Sequence, residues 1–114
     1  MGEIRNAKIT ATMLGREDHG IMTFQLCVEF GGCGCWWGGY AIDGYDKEAN
    51  SRTFSAKGLE AISKILEVVG VDKWEDLNGQ FIRIEDNGWG NTIDKIGNLM
   101  EDKWFDIREF FKED

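Results

Sequence analysis

Alternating hydrophobic and polar positions mark the first forty residues as strands. Over residues 3–14, Ile9, Ala11 and Met13 alternate with threonines, and this period of two predicts a strand. Residues 21–30 place apolar side chains on one face and a mixed set on the other, which predicts a strand that is central in a sheet or lies at an interface. The intervening residues 15–20 read as a turn, so these two strands form a hairpin. A glycine-rich loop at 31–35 then leads to a third strand at 36–42.

The second half of the chain contains a helical period. The polar residues 43–53 predict a loop, and Ser55 is a plausible N-cap. Apolar residues then recur at helical spacing until Gly70, which predicts the main helix. Residues 81–85 alternate again, and Asn87 with Gly88 is a hairpin signal before a strand within 91–99. Asp106 predicts the start of a short closing helix.

The order of these elements defines the fold class. Hairpins on each side of one helix predict an α+β fold with an antiparallel β-sheet of about five to six strands, one main helix and a short C-terminal helix. The 114 residues are enough for a single ligand-binding domain, residues 1–114, with one modest core. A ligand of so small a domain must bind near the surface or between subunits.

Charge narrows the class of partner. The 13 Lys and Arg against 21 Asp and Glu leave a formal net charge of -8, which repels the phosphate backbone of long nucleic acid. No apolar run approaches the roughly 18 residues that cross a bilayer, and the start of the chain does not resemble a signal peptide. We therefore expect a cytoplasmic protein with no membrane partner.

Catalytic and metal-binding patterns are weak. The three cysteines, Cys27, Cys33 and Cys35, are an odd number, which predicts reduced thiols rather than a disulfide framework. The lone His19 could act as a base beside a cysteine, but no family-specific cysteine signature surrounds it. The same four residues lack the paired spacing of a structural zinc site. We predict no enzyme, no metal and no cofactor.

Aromatic side chains are more informative. Trp36, Trp37 and Tyr40 lie on an open, glycine-rich backbone, where they form either a ligand or subunit surface or part of the core. A second group combines aromatic faces for a purine, an amide for its edge and arginines for phosphate, which suits a small nucleotide. The alternative is that these arginines simply pack along aromatic rings at the surface. This group consists of Arg52, Phe54, Trp89, Asn91, Trp104, Phe105 and Arg108.

Short segments spread over nearly the whole chain resemble a known family. They are residues 12–15 (TMLG), 17–21 (EDHGI), 38–41 (GGYA), 68–71 (VVGV), 74–77 (WEDL) and 102–105 (DKWF). The chain is similar in these segments to the first-described Tad group of the Thoeris anti-defence sponges, which are small phage proteins. The resemblance implies a protein that captures a cyclic ADP-ribose isomer made by a bacterial TIR-domain enzyme without cleaving it.

The resemblance also implies an assembly and site residues. It implies a homo-oligomer, a dimer or an assembly of dimers in the host bacterial cytoplasm, with pockets at subunit boundaries. Arg52 and Arg108 would hold the pyrophosphate, and Phe81 or Trp89 would stack on adenine. Asn91 and Asp94 would hydrogen-bond the base or the ribose hydroxyls.

The leading hypothesis is therefore a phage sponge that sequesters a cyclic ADP-ribose signal, or a cyclic oligonucleotide, and so blocks Thoeris-type immunity. One rival is an acidic protein that inhibits a basic host defence protein by direct contact. The other rival is a small cyclic-nucleotide hydrolase using His19 with a cysteine or a carboxylate.

Overall fold

The strands and helices follow the predicted order, with additions. The computed structural model describes residues 2–17, 20–48, 50–54, 56–88 and 93–112, and within them all side chains except those of residues 17, 44–46, 52 and 54. A short 3₁₀ turn, Trp74–Asp76, separates the helix from the second group of strands. The elements are β1 (Glu3–Glu17), β2 (Ile21–Phe30), β3 (Cys33–Ala41), β4 (Asp43–Asp46), β5 (Ser51–Phe54), α1 (Ala56–Val69), β6 (Phe81–Asp86), β7 (Lys95–Gly97), β8 (Trp104–Asp106) and α2 (Ile107–Lys112).

The predicted α+β class is confirmed. A six-stranded antiparallel sheet has the order β3-β2-β1-β6-β7-β8, and β4 pairs with β5 in a separate hairpin. β2 is internal to the sheet, as its two-faced pattern predicts. Residues 43–53 were predicted as a loop, and that prediction is wrong, because the β4–β5 hairpin occupies them. β8 was not predicted, and within the described residues 93–99 the predicted strand is limited to β7.

The six-stranded sheet is strongly curled. A flat sheet of this size would separate its two edge strands by about 24 Å. Instead, the rings of Trp37 on β3 and Phe105 on β8 lie 6.0 Å apart, centroid to centroid. The two edge strands therefore approach each other, with these two side chains in contact between them. We call the line along which they face each other the seam.

The core fills the concave face of this sheet. α1 packs there against β7 and β8 through buried Ala61, Ile65 and Val68, as its helical period predicts. Fully buried side chains from β1, β2 and β6 complete this core, among them Ile9, Phe24, Leu26, Ile82 and Ile84. Gly70 ends α1 with φ +93°, and the Val71 N–H donates to the Leu66 carbonyl, so the predicted stop is confirmed.

None of the helices in the described part of the chain has the length and apolar character required to cross a membrane.

Asn98 ties the β7–β8 loop to the end of α1. Its Nδ2 donates to the Val68 carbonyl at 2.8 Å, where the helix has no further N–H to satisfy that oxygen. Its Oδ1 accepts from the backbone N–H groups of Met100 at 2.9 Å and Glu101 at 2.8 Å. The Asn98 side chain thus connects the loop that leads into β8 to the C-terminal end of α1.

We expect Asn98→Ala to lower the free energy of unfolding by about 1–3 kcal/mol, because it leaves the Val68 carbonyl without this donor. Urea unfolding followed by circular dichroism measures the change. The matched control is Asn78→Ala in an exposed turn, which should stay within about 0.5 kcal/mol of the wild type. Equal losses in the two variants would contradict the role given to Asn98.

Candidate functional site

The candidate site lies at the seam and is organised by a backbone carbonyl. The Asp94 carbonyl accepts the indole N–H of Trp37 at 3.2 Å and the backbone N–H of Ile107 at 3.1 Å. It thereby links β3, the segment before β7 and the first residue of α2. Because Arg108 follows Ile107, this link brings the Arg108 side chain beside Asp94. The Arg108 Nη1 lies 3.8 Å from the Asp94 Oδ2.

Two adjoining hollows open at this point, and together we call them the seam cleft. They share Tyr40, Asp94 and Arg108. The first hollow, of about 300 Å³, is also lined by Trp36, Ile93 and Ile107. The second, of about 520 Å³, is also lined by Asp106, Glu109, Phe111 and Lys112. The cleft therefore combines aromatic walls with charged groups of both signs.

The cations of the seam cleft are only loosely engaged. The Arg108 side chain is 72% exposed, and its ion pair with Asp94 is long. Lys112 lies 3.7 Å from Glu109, and both of these side chains are also exposed. Exposed ion pairs contribute about 0–1 kcal/mol, so the Lys112–Glu109 pair contributes little to holding these two side chains in place.

The aromatic patch predicted around β3 divides between core and cleft. Trp37 is 1% exposed and packs in the core against Phe24 and Phe105. Its neighbour Trp36 points the other way, is 55% exposed and lines the cleft. This division follows from the alternation of side chains along a strand.

The structure brings together some of the predicted site residues. Asp94 and Arg108 share the seam cleft. Phe81 lies on the convex face of the sheet, where the Lys8 Nζ is 5.6 Å from its ring centroid, and it lines neither hollow. Trp104 lies outside the seam cleft, with the Arg83 guanidinium 4.8 Å from its ring centroid. Phe105 is buried in the core.

The other predicted site residues are described only in part. Arg52 and Phe54 belong to β5, opposite Tyr45 and Asp43, but their side chains lie outside the described set. Trp89 and Asn91 lie wholly outside the described residues, as does His19.

Two contributors to the cleft were missed in the sequence. Phe111 and Lys112 close the second hollow from α2. The sequence did contain a signal for them, because the helix predicted to start at Asp106 continues through these two residues. The structure has this start, where the Asp106 Oδ1 accepts the Glu109 N–H at 3.1 Å. A short helix beginning there places Phe110 and Phe111 on neighbouring faces.

A second groove lies between α1 and α2. Its volume is about 540 Å³, and its walls include Glu60, Lys64, Trp104 and Phe110. The Lys57 Nζ lies 5.1 Å from the Phe110 ring centroid. This groove contains none of the residues to which the resemblance gives a ligand-binding role.

One of the three cysteines, Cys35, has a perturbed pKa. Cys27, Cys33 and Cys35 are free thiols, as predicted. Burial raises the pKa of the Cys35 thiol, and the acidic groups of Cys27 and Asp86 raise it further. A raised pKa lowers the thiolate fraction at neutral pH, so Cys35 is a poor nucleophile. Within the described ranges, no three His, Cys, Asp or Glu side chains are grouped so as to hold a metal ion.

Comparison with protein-family models, with curated proteins and with solved structures found no match.

Proposed function

We propose that the protein binds and sequesters a small nucleotide signal of the cyclic ADP-ribose type in the seam cleft, without cleaving it. The observation that carries this proposal is that Arg108 and Asp94 line the same hollow as the aromatic side chains of Trp36 and Tyr40. Aromatic faces stack on a base, arginine binds pyrophosphate and a carboxylate accepts ribose hydroxyls, so the cleft offers a partner for each part of such a ligand.

The size of the cleft is consistent with this ligand class. Small-molecule sites commonly enclose about 300–1,000 Å³, and each hollow alone reaches the lower part of this range. The net charge of -8 disfavours a long polyanion, whereas a single arginine with a weak ion pair can still bind one small anion.

The proposal includes a homo-oligomer in the host cytoplasm. β3 is an edge strand of the described sheet, and its exposed Trp36 is of the aromatic type that is enriched at subunit interfaces. A second copy at this edge would extend the wall of the cleft beside Trp36. The complete site of an oligomer would then include residues from both chains.

We expect one ligand of a defined panel to raise the melting temperature of the protein. The panel contains cyclic ADP-ribose isomers, cyclic di- and trinucleotides, ADP-ribose and NAD. A ligand at 100 times its dissociation constant adds about 2.7 kcal/mol, which is several degrees for a domain of this size. Arg108→Ala should weaken that binding at least about tenfold, because it removes a charge-assisted hydrogen bond. Differential scanning fluorimetry and calorimetric titration measure the two effects.

The same experiment includes a control variant and distinguishes the proposed function from its rivals. Arg16→Ala removes an exposed arginine of β1 that lines neither hollow, and it should bind like the wild type. Intact ligand recovered after heating the complex supports sequestration, whereas a converted product would identify a hydrolase. If no member of the panel shifts the melting temperature, the proposal is wrong and the acidic inhibitor of a protein partner becomes the leading function.

A further inference from the structure

The rings of Tyr40 and Phe111 form a parallel stack at the edge of the seam cleft. Their centroids are 4.9 Å apart and their planes differ by 11°. The other ring pairs among the described residues meet at 47° to 89°. Aromatic side chains pack in both edge-on and offset-stacked geometries, and the parallel stack is the one that a planar heterocycle adopts on an aromatic side chain.

The two rings of this stack are held to very different degrees. Tyr40 belongs to β3 of the main sheet, and its carbonyl accepts the Thr23 hydroxyl at 2.7 Å. Phe111 lies near the end of α2, which has only six residues. A helix this short is not stable alone and depends on its contacts with the rest of the domain.

The attachment of α2 is closest at its start, and Phe110 adds a contact with the ring of Phe105. The N-terminal end is anchored by Ile107, which is 1% exposed, and by the Asp106 cap. Phe111 lies more than a turn beyond Ile107 and is only half-buried. The Phe111 ring can therefore leave Tyr40 by rotation of its own side chain, while Ile107 and Phe110 keep α2 in place.

Both stacked rings line the larger hollow together with Arg108 and Lys112. A planar base placed on Tyr40 in the position of Phe111 would lie in the same hollow as both cations. We propose that Tyr40 is the stacking platform for the purine ring of the bound ligand, and that Phe111 occupies this place in the free protein. The ligand class rests on the proposed function, but stacking of a purine on Tyr40 can be tested independently of that function.

This arrangement makes Phe111 an intramolecular competitor. The measured affinity of a site is reduced by the fraction of molecules in which the site is closed. Removing the Phe111 ring should therefore strengthen binding, which is the opposite of the effect expected for a residue that contacts the ligand. The two roles of Phe111 are thus distinguished by the sign of one measurement.

The first test titrates cyclic ADP-ribose isomers into the full chain by calorimetry. We expect Phe111→Ala to tighten binding by about 2- to 12-fold, the range for an aromatic pair. Tyr40→Leu should weaken binding about fivefold or more, while Tyr40→Phe, which keeps the ring, should bind like the wild type. The matched control is Leu59→Ala, because Leu59 is an exposed apolar residue of α1 that lines neither hollow. It should leave the affinity unchanged, and circular dichroism confirms the folding of each variant.

The second test does not depend on the identity of the signal. Saturation-transfer NMR with millimolar AMP should show contact with the adenine protons in Phe111→Ala and lose it in the double variant Tyr40→Leu/Phe111→Ala. If the wild type binds none of the cyclic nucleotides but Phe111→Ala captures AMP through Tyr40, the proposed function is wrong and the platform stands.

Two results would overturn the platform. One is a wild type that binds a cyclic ADP-ribose isomer while Phe111→Ala binds it equally or more weakly. The other is the absence of AMP contact in a folded Phe111→Ala variant that also gains no affinity for the cyclic nucleotides.

Discussion

Trp37→Ala is expected to lower the free energy of unfolding by about 3–5 kcal/mol, the cost of removing a large aromatic side chain from a core. The indole is 1% exposed and its ring lies 6.3 Å from that of Phe24 and 6.0 Å from that of Phe105. The substitution also removes the donor to the Asp94 carbonyl, where β3 and β8 meet. Since small domains have only about 5–15 kcal/mol in total, the variant should be at the limit of folding. Guanidinium unfolding followed by circular dichroism measures the loss.

The neighbouring tryptophan provides the control. Trp36 is 55% exposed, so Trp36→Ala should change stability by less than about 1 kcal/mol. It also lines the seam cleft, so under the proposed function it should weaken ligand binding without destabilising the fold. Similar stability losses in the two variants would show that the division of this pair between core and surface is wrong.

Gly58→Ala should destabilise the protein by about 1–3 kcal/mol, the cost of overpacking a core position. Helix propensity alone predicts the opposite sign, because alanine inside a helix is favoured over glycine by about 1 kcal/mol. Here an added Cβ would clash with the Ile42 Cβ and would lie 2.9 Å from the Ile42 carbonyl oxygen. The backbone at Ile42 or the whole of α1 must therefore shift. The shift in melting temperature by calorimetry reports the sign directly.

Ser63→Ala is the matched substitution on the exposed face of the same helix. It should leave stability unchanged or raise it by up to about 0.5 kcal/mol, because only propensity acts there. A stabilised Gly58→Ala variant would mean that α1 does not approach β3 and β4 as closely as Gly58 and Ile42 indicate.

The elements that the sequence predicts well are those with a long, regular repeat. β2 and α1 each run for ten or more residues, and a period of two or of 3.6 accumulates over that length. β4, β5, β7 and β8 have only three or four residues each. A repeat cannot be recognised over so few positions, and these strands are stabilised by pairing with a partner strand instead.

The candidate site is predicted only in part for a related reason. Asp94 and Arg108 are 14 positions apart in the sequence, and the pairing of Lys95 with Asp106 between β7 and β8, continued by the Ile107–Asp94 hydrogen bond, brings them together. Phe81 lies on the opposite face of the sheet because side chains alternate, and Ile82 takes the inward position.

The sequence by itself determined the α+β class, the first hairpin, the main helix with its stop at Gly70 and the net negative charge. These properties depend on local periodicity, local backbone preference and summed charge, which follow from the sequence without any tertiary contact. Only the tertiary structure decided that β3 and β8 meet at a seam, that Trp37 is buried while Trp36 lines a cleft, and that Phe111 stacks on Tyr40. These properties depend on the curl of the sheet, which is set by contacts between residues far apart in the sequence and so has no local signature.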